Sequence, residues 1–411
     1  MSTVNTVTKC RVCQSSTLEV LWELAPAPYG DLFCAKKSEA KNLQKIDLTL
    51  QMCGACKFVQ LGQEVDIDKI YKNYIYTTSN TQNLPSFYNR LSSSLISSLG
   101  LKPNELIIDV GSNDGSALLP YFNKGFKVLG IEPSKLPSEK ALSLGIPTVV
   151  SYLDDSSVAT CISQFGQAKL VMANYVLANV SDPVIFFKNL KDLITENGTI
   201  SIVTGYHPDQ FSINMFEYIN HDHLSYFSIS SAVNLANQVG LKLVSVERIE
   251  HKGGSVHLIF KRVENESLVT ESVSQLIQRE NWMQIDKTEF YLLLKSRIQK
   301  AKFQAHNELP SSGLIGIGAS ISTTHLLHQF ELGDRFRFLL DDNADKISLF
   351  SPGYGLEVRS FKDHTQIFNS EILVTLAWQH SHEINRKAKK YYPNNSLFSI
   401  LPFFTKVYES K

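Results

Sequence analysis

The chain has no net charge: 40 Lys+Arg offset 40 Asp+Glu in 411 residues. A protein that grips DNA or RNA through many phosphates needs a basic surplus, and so does a polybasic membrane anchor. Neither partner is expected. No run of about 18 apolar residues occurs, so no transmembrane helix is expected. The opening MSTVNTVTKC lacks the apolar stretch of a signal peptide, which leaves a cytoplasmic location as the expectation. Charged residues are scarce at 19%, below the usual quarter, which suits domains packed on one another. There is no repeat of fixed period and no low-complexity tract. What is present, 43% hydrophobic residues, supports packed cores and excludes global disorder. At roughly 150 residues per domain the length predicts about 2.7 domains, hence two or three.

Four of the six cysteines form two C-x2-C pairs, Cys10-Arg-Val-Cys13 and Cys53-Gly-Ala-Cys56. Each pair is a tight turn that aims two thiolates at one ion. Together they can complete the tetrahedral S4 shell of a structural zinc site. Disulfides would need an oxidising compartment, and a redox site would need only one pair at a helix start. Four thiolates leave no open position for water, so this zinc is expected to hold a module together and not to catalyse. Around it LEVLWEL, KIDLTLQMC and KFVQL have the character of short strands. The lone Cys34 and Cys161 are expected to be small buried hydrophobes.

From Glu105 onward short β-branched runs alternate with helical stretches: LIIDVG, FKVLGIEP, KLVMAN, GTISIVTGY and LKLVSVERIE. This rhythm predicts a doubly wound α/β sheet. A helix-rich stretch runs from about Leu268 to Asn307. A second β/α rhythm begins at GLIGIGAS and continues through FRFLLDD and EILVTLAW. In the first sheet, Asp109-Val-Gly111-Ser-Asn113-Asp114-Gly115 follows a strand, and a helix is expected from about Ser116. Gly111 and Gly115 would let the chain turn tightly and a ligand touch the backbone. Glu132, about twenty residues on, ends the next strand with an acid suited to a ribose diol. A dinucleotide would want G-x-G-x-x-G. Here Asp109 and Asp114 would repel a pyrophosphate but attract the cationic amino-acid end of S-adenosylmethionine, which is the favoured cofactor. A glycine turn in an empty domain is the remaining alternative. Asn174, Tyr175 and Asn179, after the fourth strand, are candidates to line the reaction site. Asn179 could equally be a cap.

Residues 216–227 are polar and aromatic. Strand alternation would put His221 and His223 on one face and Asp222 on the other. A zinc site, acid–base chemistry and a structural turn all fit this pattern. Downstream, His251-Lys-Gly253-Gly254-Ser255-Val-His257 offers glycine amides that could approach an anion or a sugar.

Taken in order, the twin knuckles, DVGSNDG, HDHLSYFS followed by GGS, and GIGAS (316–320) with Leu340-Asp341-Asp342-Asn343 and SPG (351–353) resemble one family. It is the S-adenosylmethionine-dependent sugar 3-C-methyltransferases acting on nucleotide-linked 4-keto-6-deoxy sugars. The resemblance spans nearly the whole chain. It implies a Rossmann-like class I methyltransferase core flanked by a small zinc-binding N-terminal module and a second, C-terminal Rossmann-like α/β domain. The expected boundaries are 1–70, 71–265, a helical connector at 266–310, and 311–411. The implied cofactors are S-adenosylmethionine and a structural zinc ion, and the implied partner is a nucleotide-linked sugar. The oligomeric state is left open. The family's usual Tyr-His-Glu-His falls on Asn220, His221, Asp222 and His223. His223 is then the implied base, and Asp222, Asn220 and Asn179 accompany it as catalytic candidates. The implied cofactor residues are Asp109, Gly111, Asn113, Asp114, Gly115, Glu132 and Asn174. The candidates for substrate contact are Tyr76, His221, Gly254, Ser255 and His257. The chain departs from the family where Asn220 replaces a tyrosine, Asn179 a histidine, His257 an arginine and Ser322 a lysine. These departures leave the methylated atom open.

Overall fold

The structure is a computed structural model that describes residues 4–66, 77–80, 84–362, 367–368 and 371–409. The N-terminal part contributes β1 (Val4–Thr6), β2 (Leu18–Ala27), β3 (Ile46–Cys53), β4 (Val59–Leu61) and β5 (Gln63–Val65). In β3 every second residue is apolar, so Ile46, Leu48, Leu50 and Met52 are buried on one face. Leu48, Leu50 and Met52 share one core with Tyr291, Leu294 and Ile298 of the helix Thr288–Glu308 and Leu326, Leu327 and Phe330 of the helix Ile321–Phe330. The N-terminal sheet is therefore welded to the distant C-terminal part through apolar contact.

The middle of the chain supplies β6 (Leu106–Val110), β7 (Lys127–Ile131), β8 (Thr148–Val149), β9 (Ala168–Asn174), β10 (Ile194–Gly205), β11 (Ser225–Tyr226), β12 (Leu241–Ile249) and β13 (Ser255–Arg262). Seven of these form one sheet in the order β12-β13-β10-β9-β6-β7-β8. β6 to β10 run parallel, and β13 lies antiparallel to both β10 and β12. All five residues of β6 are buried, as expected for a strand covered on both faces. The order reverses at β6 and β9, and a crevice opens at such a switch point, beyond the carboxyl ends of the strands. β11 does not join this sheet. It pairs with β4, Tyr226 opposite Val59, and so extends the N-terminal sheet.

The helices Glu271–Met283 and Thr288–Glu308 lead into a second parallel sheet. Its strands are β14 (Leu314–Ile317), β15 (Phe336–Asp341), β16 (Glu357–Ser360), β17 (Leu373–Thr375), β18 (Leu397–Ser399) and β19 (Thr405–Tyr408), in the order β16-β15-β14-β17-β18-β19. Only β19 is antiparallel to its neighbour. Among the described residues no helix is long and apolar enough to cross a membrane.

Candidate active site

A cavity of about 350 Å³ opens at the ends of β6, β7 and β9. Asp109, Gly111, Asn113, Glu132, Asn174 and Asn179 all line it. Gly111 turns at φ +70°, and a Cβ there would lie 2.3 Å from Val176 Cγ2. The tight turn and the close approach both require glycine. Glu132 is fixed by two backbone donors, Asn113 N–H at 3.0 Å and Ser134 N–H at 2.8 Å. Asp109 is only 2% exposed. Burial, and then the nearby charge of Glu132, push its carboxyl well above the usual range. Asp109 Oδ1 and both polar atoms of the Asn174 amide are buried without a hydrogen-bond partner among the described residues. Such atoms are costly unless a ligand satisfies them. Two buried acids and an idle amide fit the ammonium and hydroxyl groups of S-adenosylmethionine.

Asp114 and Gly115 stand behind this wall. Asp114 accepts Ser116 N–H at 3.2 Å and Ser79 N–H at 2.8 Å, so it shapes the loop from the rear. Gly115 (φ +78°) packs against Ile146 and Ala141. The helix expected at Ser116 begins instead at Leu119, because turns occupy residues 116–118. Tyr76 lies outside the described residues.

The histidine segment is not a strand. Asn220 Oδ1 accepts the Asp222 N–H at 3.0 Å, and the Asn220 carbonyl accepts the His223 N–H at 3.1 Å. This Asx turn reverses the chain and removes the alternation that an extended backbone would give. The two histidines therefore part. His221 packs 5.5 Å from the His325 ring and reaches toward the Ile46 carbonyl at 3.4 Å. The His223 ring packs at a tilt against Tyr218, centroids 4.0 Å apart, and its Nδ1–H donates to the Tyr218 carbonyl at 2.8 Å. A carbonyl can only accept, so this bond places the proton on Nδ1, which also lies 3.1 Å from Asn220 Nδ2, and the Nε2 lone pair is then the acceptor. Burial, with a smaller contribution from the Lys252 charge, lowers the His223 pKa to about 4, so the ring is neutral at pH 7. Asp222 is pushed up to about 7 by burial and accepts a short hydrogen bond from Tyr29. None of residues 220–223 is among those lining the cavity. Lys252 and Tyr175 line the cavity, and the Lys252 charge also acts on His223.

The remaining candidates sit near the turn between β12 and β13. Ser255 Oγ donates to the His251 carbonyl at 2.9 Å. A Cβ on Gly254 (φ +122°) would meet Asp209 Cβ at 2.7 Å. His257 lies within β13, where its Nε2 is 2.8 Å from Ser201 Oγ, and it does not line the cavity. Lys252 was missed in the sequence reading. Its only signal was its place between His251 and a glycine pair.

The four cysteine sulfurs of the knuckles lie within 4.8 Å of one another. The Cys10–Cys56 and Cys13–Cys53 pairs are each 3.5 Å apart. Zinc–sulfur bonds of about 2.3 Å need tetrahedral edges of roughly 3.8 Å, so the donor set fits zinc. Backbone N–H groups of Val12 and Cys13 point at Cys10 Sγ, at 3.4 and 3.5 Å, which suits a thiolate. A thiol hydrogen bond from Cys56 holds Cys10 down to about 5 and holds Cys56 well up. Arg11, inside the first knuckle, bonds Glu64 at 2.7 Å and the carbonyl of Ser181 at 2.8 Å. Ser181 lines the cavity, so the zinc module braces its wall.

Comparison with known proteins follows the same three parts. A zinc binding domain matches residues 10–71, a methyltransferase domain residues 83–246, and a C-methyltransferase C-terminal domain residues 250–402. This is the order that the sequence resemblance implies. The protein is an S-adenosylmethionine-dependent methyltransferase with a zinc-binding N-terminal domain and a second α/β domain at its C-terminal end. Along its length it is similar to the C-methyltransferase NovU of Streptomyces niveus, with 22% identity over 403 residues, covering 97% of this chain and 96% of NovU. Among solved structures, the CcbJ methyltransferase of Streptomyces caelestis is 12% identical and covers 48% of this chain and 96% of its own, at a TM-score of 0.35. Magnesium protoporphyrin IX methyltransferase of Synechocystis PCC 6803, with bound SAM, is 14% identical, covers 43% and 79%, and has a TM-score of 0.33.

Proposed function

We propose that this methyltransferase acts on a nucleotide-activated deoxysugar and methylates the carbon beside a 4-keto group through an enolate. The observation that carries the reading is His223, a neutral ring whose Nδ1–H is bound by the Tyr218 carbonyl and whose Nε2 is left as a base. The likeness to NovU and the match to a C-methyltransferase C-terminal domain support the same reaction class. S-adenosylmethionine, when bound, supplies a methyl group from its sulfonium, the sulfur keeping the bonding pair. Asp109, Glu132 and Asn174 hold it, with Gly111 and Asn113 forming the loop and Asp114 and Gly115 supporting that loop from behind. His223 Nε2 takes the proton from the sugar carbon next to the carbonyl. Asn220 and Asp222 hold the turn that aims His223, and Asn179 completes the wall on the acceptor side. His221, Gly254 and Ser255, with Tyr76 and His257, are the substrate-side candidates.

Incubating the zinc-loaded protein with S-adenosylmethionine and a panel of nucleotide 4-keto sugars is expected to give a product one methylene heavier. Inactivity of the pure enzyme on the whole panel overturns the reading. A second reading, methyl transfer to another atom of a small substrate, is favoured by the position of His257, whose ring is engaged by Ser201. Locating the new methyl by NMR separates the two, since the first requires a carbon-bound methyl beside the ketone.

A further inference from the structure

Lys252 lies in the turn His251–Gly253 between β12 and β13 and is a non-glycine residue at φ +53°. As a whole residue it is exposed, yet its ammonium turns inward, lines the cavity, and sits 3.8 Å from the centre of the Tyr175 ring. Tyr175 is itself held at φ +58°, with its hydroxyl 2.8 Å from His251 Nδ1. The His251 ring stacks on Phe87 at 5.3 Å. Gly253 (φ +76°) leaves room for Met215 Sδ, which a Cβ there would meet at 2.3 Å. Beyond it Asp209, which packs on Gly254, is tied to Arg248 at 2.8 Å and Arg279 at 2.7 Å. Two left-handed residues thus meet at the cavity wall, fixed from behind by packing. Backbone strain of this kind persists only where the surroundings over-determine it, and it clusters at functional sites.

No carboxylate pairs with the ammonium among the described residues. Burial alone lowers its pKa to about 8, so at pH 7 it remains mostly charged. The π-face of Tyr175 offsets only part of the desolvation. The methyl donor of this class also brings a positive sulfonium. Two cations facing one small cavity repel each other unless an anion lies between them. We propose that Lys252 is a catalytic residue that donates a hydrogen bond to the oxyanion of the acceptor, with Tyr175 and His251 as its positioning residues. This rests on the enolate reading above. As the base takes the proton, the C–H pair passes into the enolate and negative charge gathers on the carbonyl oxygen, where the Nζ–H groups meet it. When carbon takes the methyl, the pair moves into the new C–C bond, the carbonyl re-forms, and the oxygen becomes neutral again. Lys252 loses no proton over the cycle.

The test compares wild type with Lys252→Met and Lys252→Arg. Calorimetry with S-adenosylmethionine and with the product S-adenosylhomocysteine, whose sulfur is neutral, needs no acceptor. In Lys252→Met the affinity for the sulfonium form is expected to rise by about tenfold relative to the thioether, the order expected for removing one of two like charges in a part-buried site. Equal thioether affinity in all three proteins shows that the fold is kept. With an active acceptor, turnover of Lys252→Met falls by roughly 10²–10³, the usual cost of losing an oxyanion donor, and Lys252→Arg recovers most of it. An unchanged ratio of the two cofactor affinities, or turnover of Lys252→Met equal to wild type, overturns the proposal. If wild type methylates no 4-keto sugar, the enolate reading falls on its own result, while the affinity ratio still decides whether Lys252 places its charge at the methyl-transfer point.

Discussion

The proposed cofactor side and the proposed acceptor side are assembled by different means. The proposed cofactor side takes Asp109 to Asn113, Glu132 and Asn174 from three neighbouring strand ends of one sheet, and its hydrogen bonds span 2, 19 and 35 positions. The proposed acceptor side centres on residues 217–223, which do not line the cavity itself and which add to their local turn bonds several partners far off in sequence. Tyr29, bonded to Asp222, is 193 positions away. Ile46, bonded to His221, is 175 away, and Trp378, bonded to Glu217, is 161 away. One side is a local loop, tied to the zinc module through the Arg11 bond to Ser181. The other draws its contacts from the zinc module, the middle sheet and the C-terminal part together.

The largest expected effect breaks the local side. In Gly111→Val the left-handed backbone alone costs about 1–3 kcal/mol, and the added carbons collide with Val176, 2.3 Å from the first of them. Calorimetry should then detect no S-adenosylmethionine binding. An affinity within about tenfold of wild type, 1.4 kcal/mol or less, would mean that the loop does not hold the cofactor.

His223→Ala addresses the other side alone. Loss of a general base lowers turnover by about 10²–10⁴. Cofactor affinity should hold, since His223 touches none of the cofactor residues. Retained turnover removes it as the base. A matching fall in cofactor affinity would show that the two sides are not separable.

This contrast also explains what could be seen in the sequence. The strands of both sheets, the two knuckles and the glycine loop are written in short windows, each with a local cause: period-two burial, a C-x2-C turn, a glycine that must adopt positive φ. The sequence left the course of residues 220–223 open between an extended run and a structural turn, because what decides it is one side-chain bond, Asn220 Oδ1 to the Asp222 N–H, which alternation does not reveal. Lys252 was invisible for a stronger reason. Its role depends on Tyr175, brought opposite it by pairing between β9, β10 and β13, and a lone lysine on a glycine turn carries no signal of that. Glu217 is similar: nothing near it announces the tryptophan 161 positions on.

Zinc removal sharpens the comparison at a smaller scale. β11 follows directly on the histidine turn and is held by β4, beside the second knuckle, and Arg11 of the first knuckle holds Ser181. Small zinc modules rely on the metal for their folding. A chelator is therefore expected to lower Tm and to cut turnover by more than it cuts S-adenosylmethionine affinity. Equal losses would place the module's support on both sides alike.

The smallest expected effect concerns how the acceptor side is docked. Glu217 is fully buried, and it accepts hydrogen bonds from Trp378 Nε1 at 2.5 Å and Gln379 Nε2 at 2.8 Å, both on the C-terminal part. Burial raises its pKa from 4.5 to about 7. The unfolded chain ionises this carboxyl from pH 4.5 upward while the folded chain keeps it protonated to about 7. Its contribution to stability is thus complete below pH 4.5, shrinks between 4.5 and 7, and stays lost above. Glutamine can accept the same two bonds and does not titrate. Glu217→Gln should therefore match wild type near pH 4 and gain on it up to pH 7, by at most about 3 kcal/mol from a shift of this size, with a plateau beyond. Denaturant titrations at several pH values measure the difference, and hydrogen exchange places it. Protection around residues 217–223 should rise in the variant at pH 8, and protection around 109–115 should not. A difference that is flat with pH would show that Glu217 does not titrate between these limits, and a rise shared by both loops would show that docking of the C-terminal part supports the cofactor side as well.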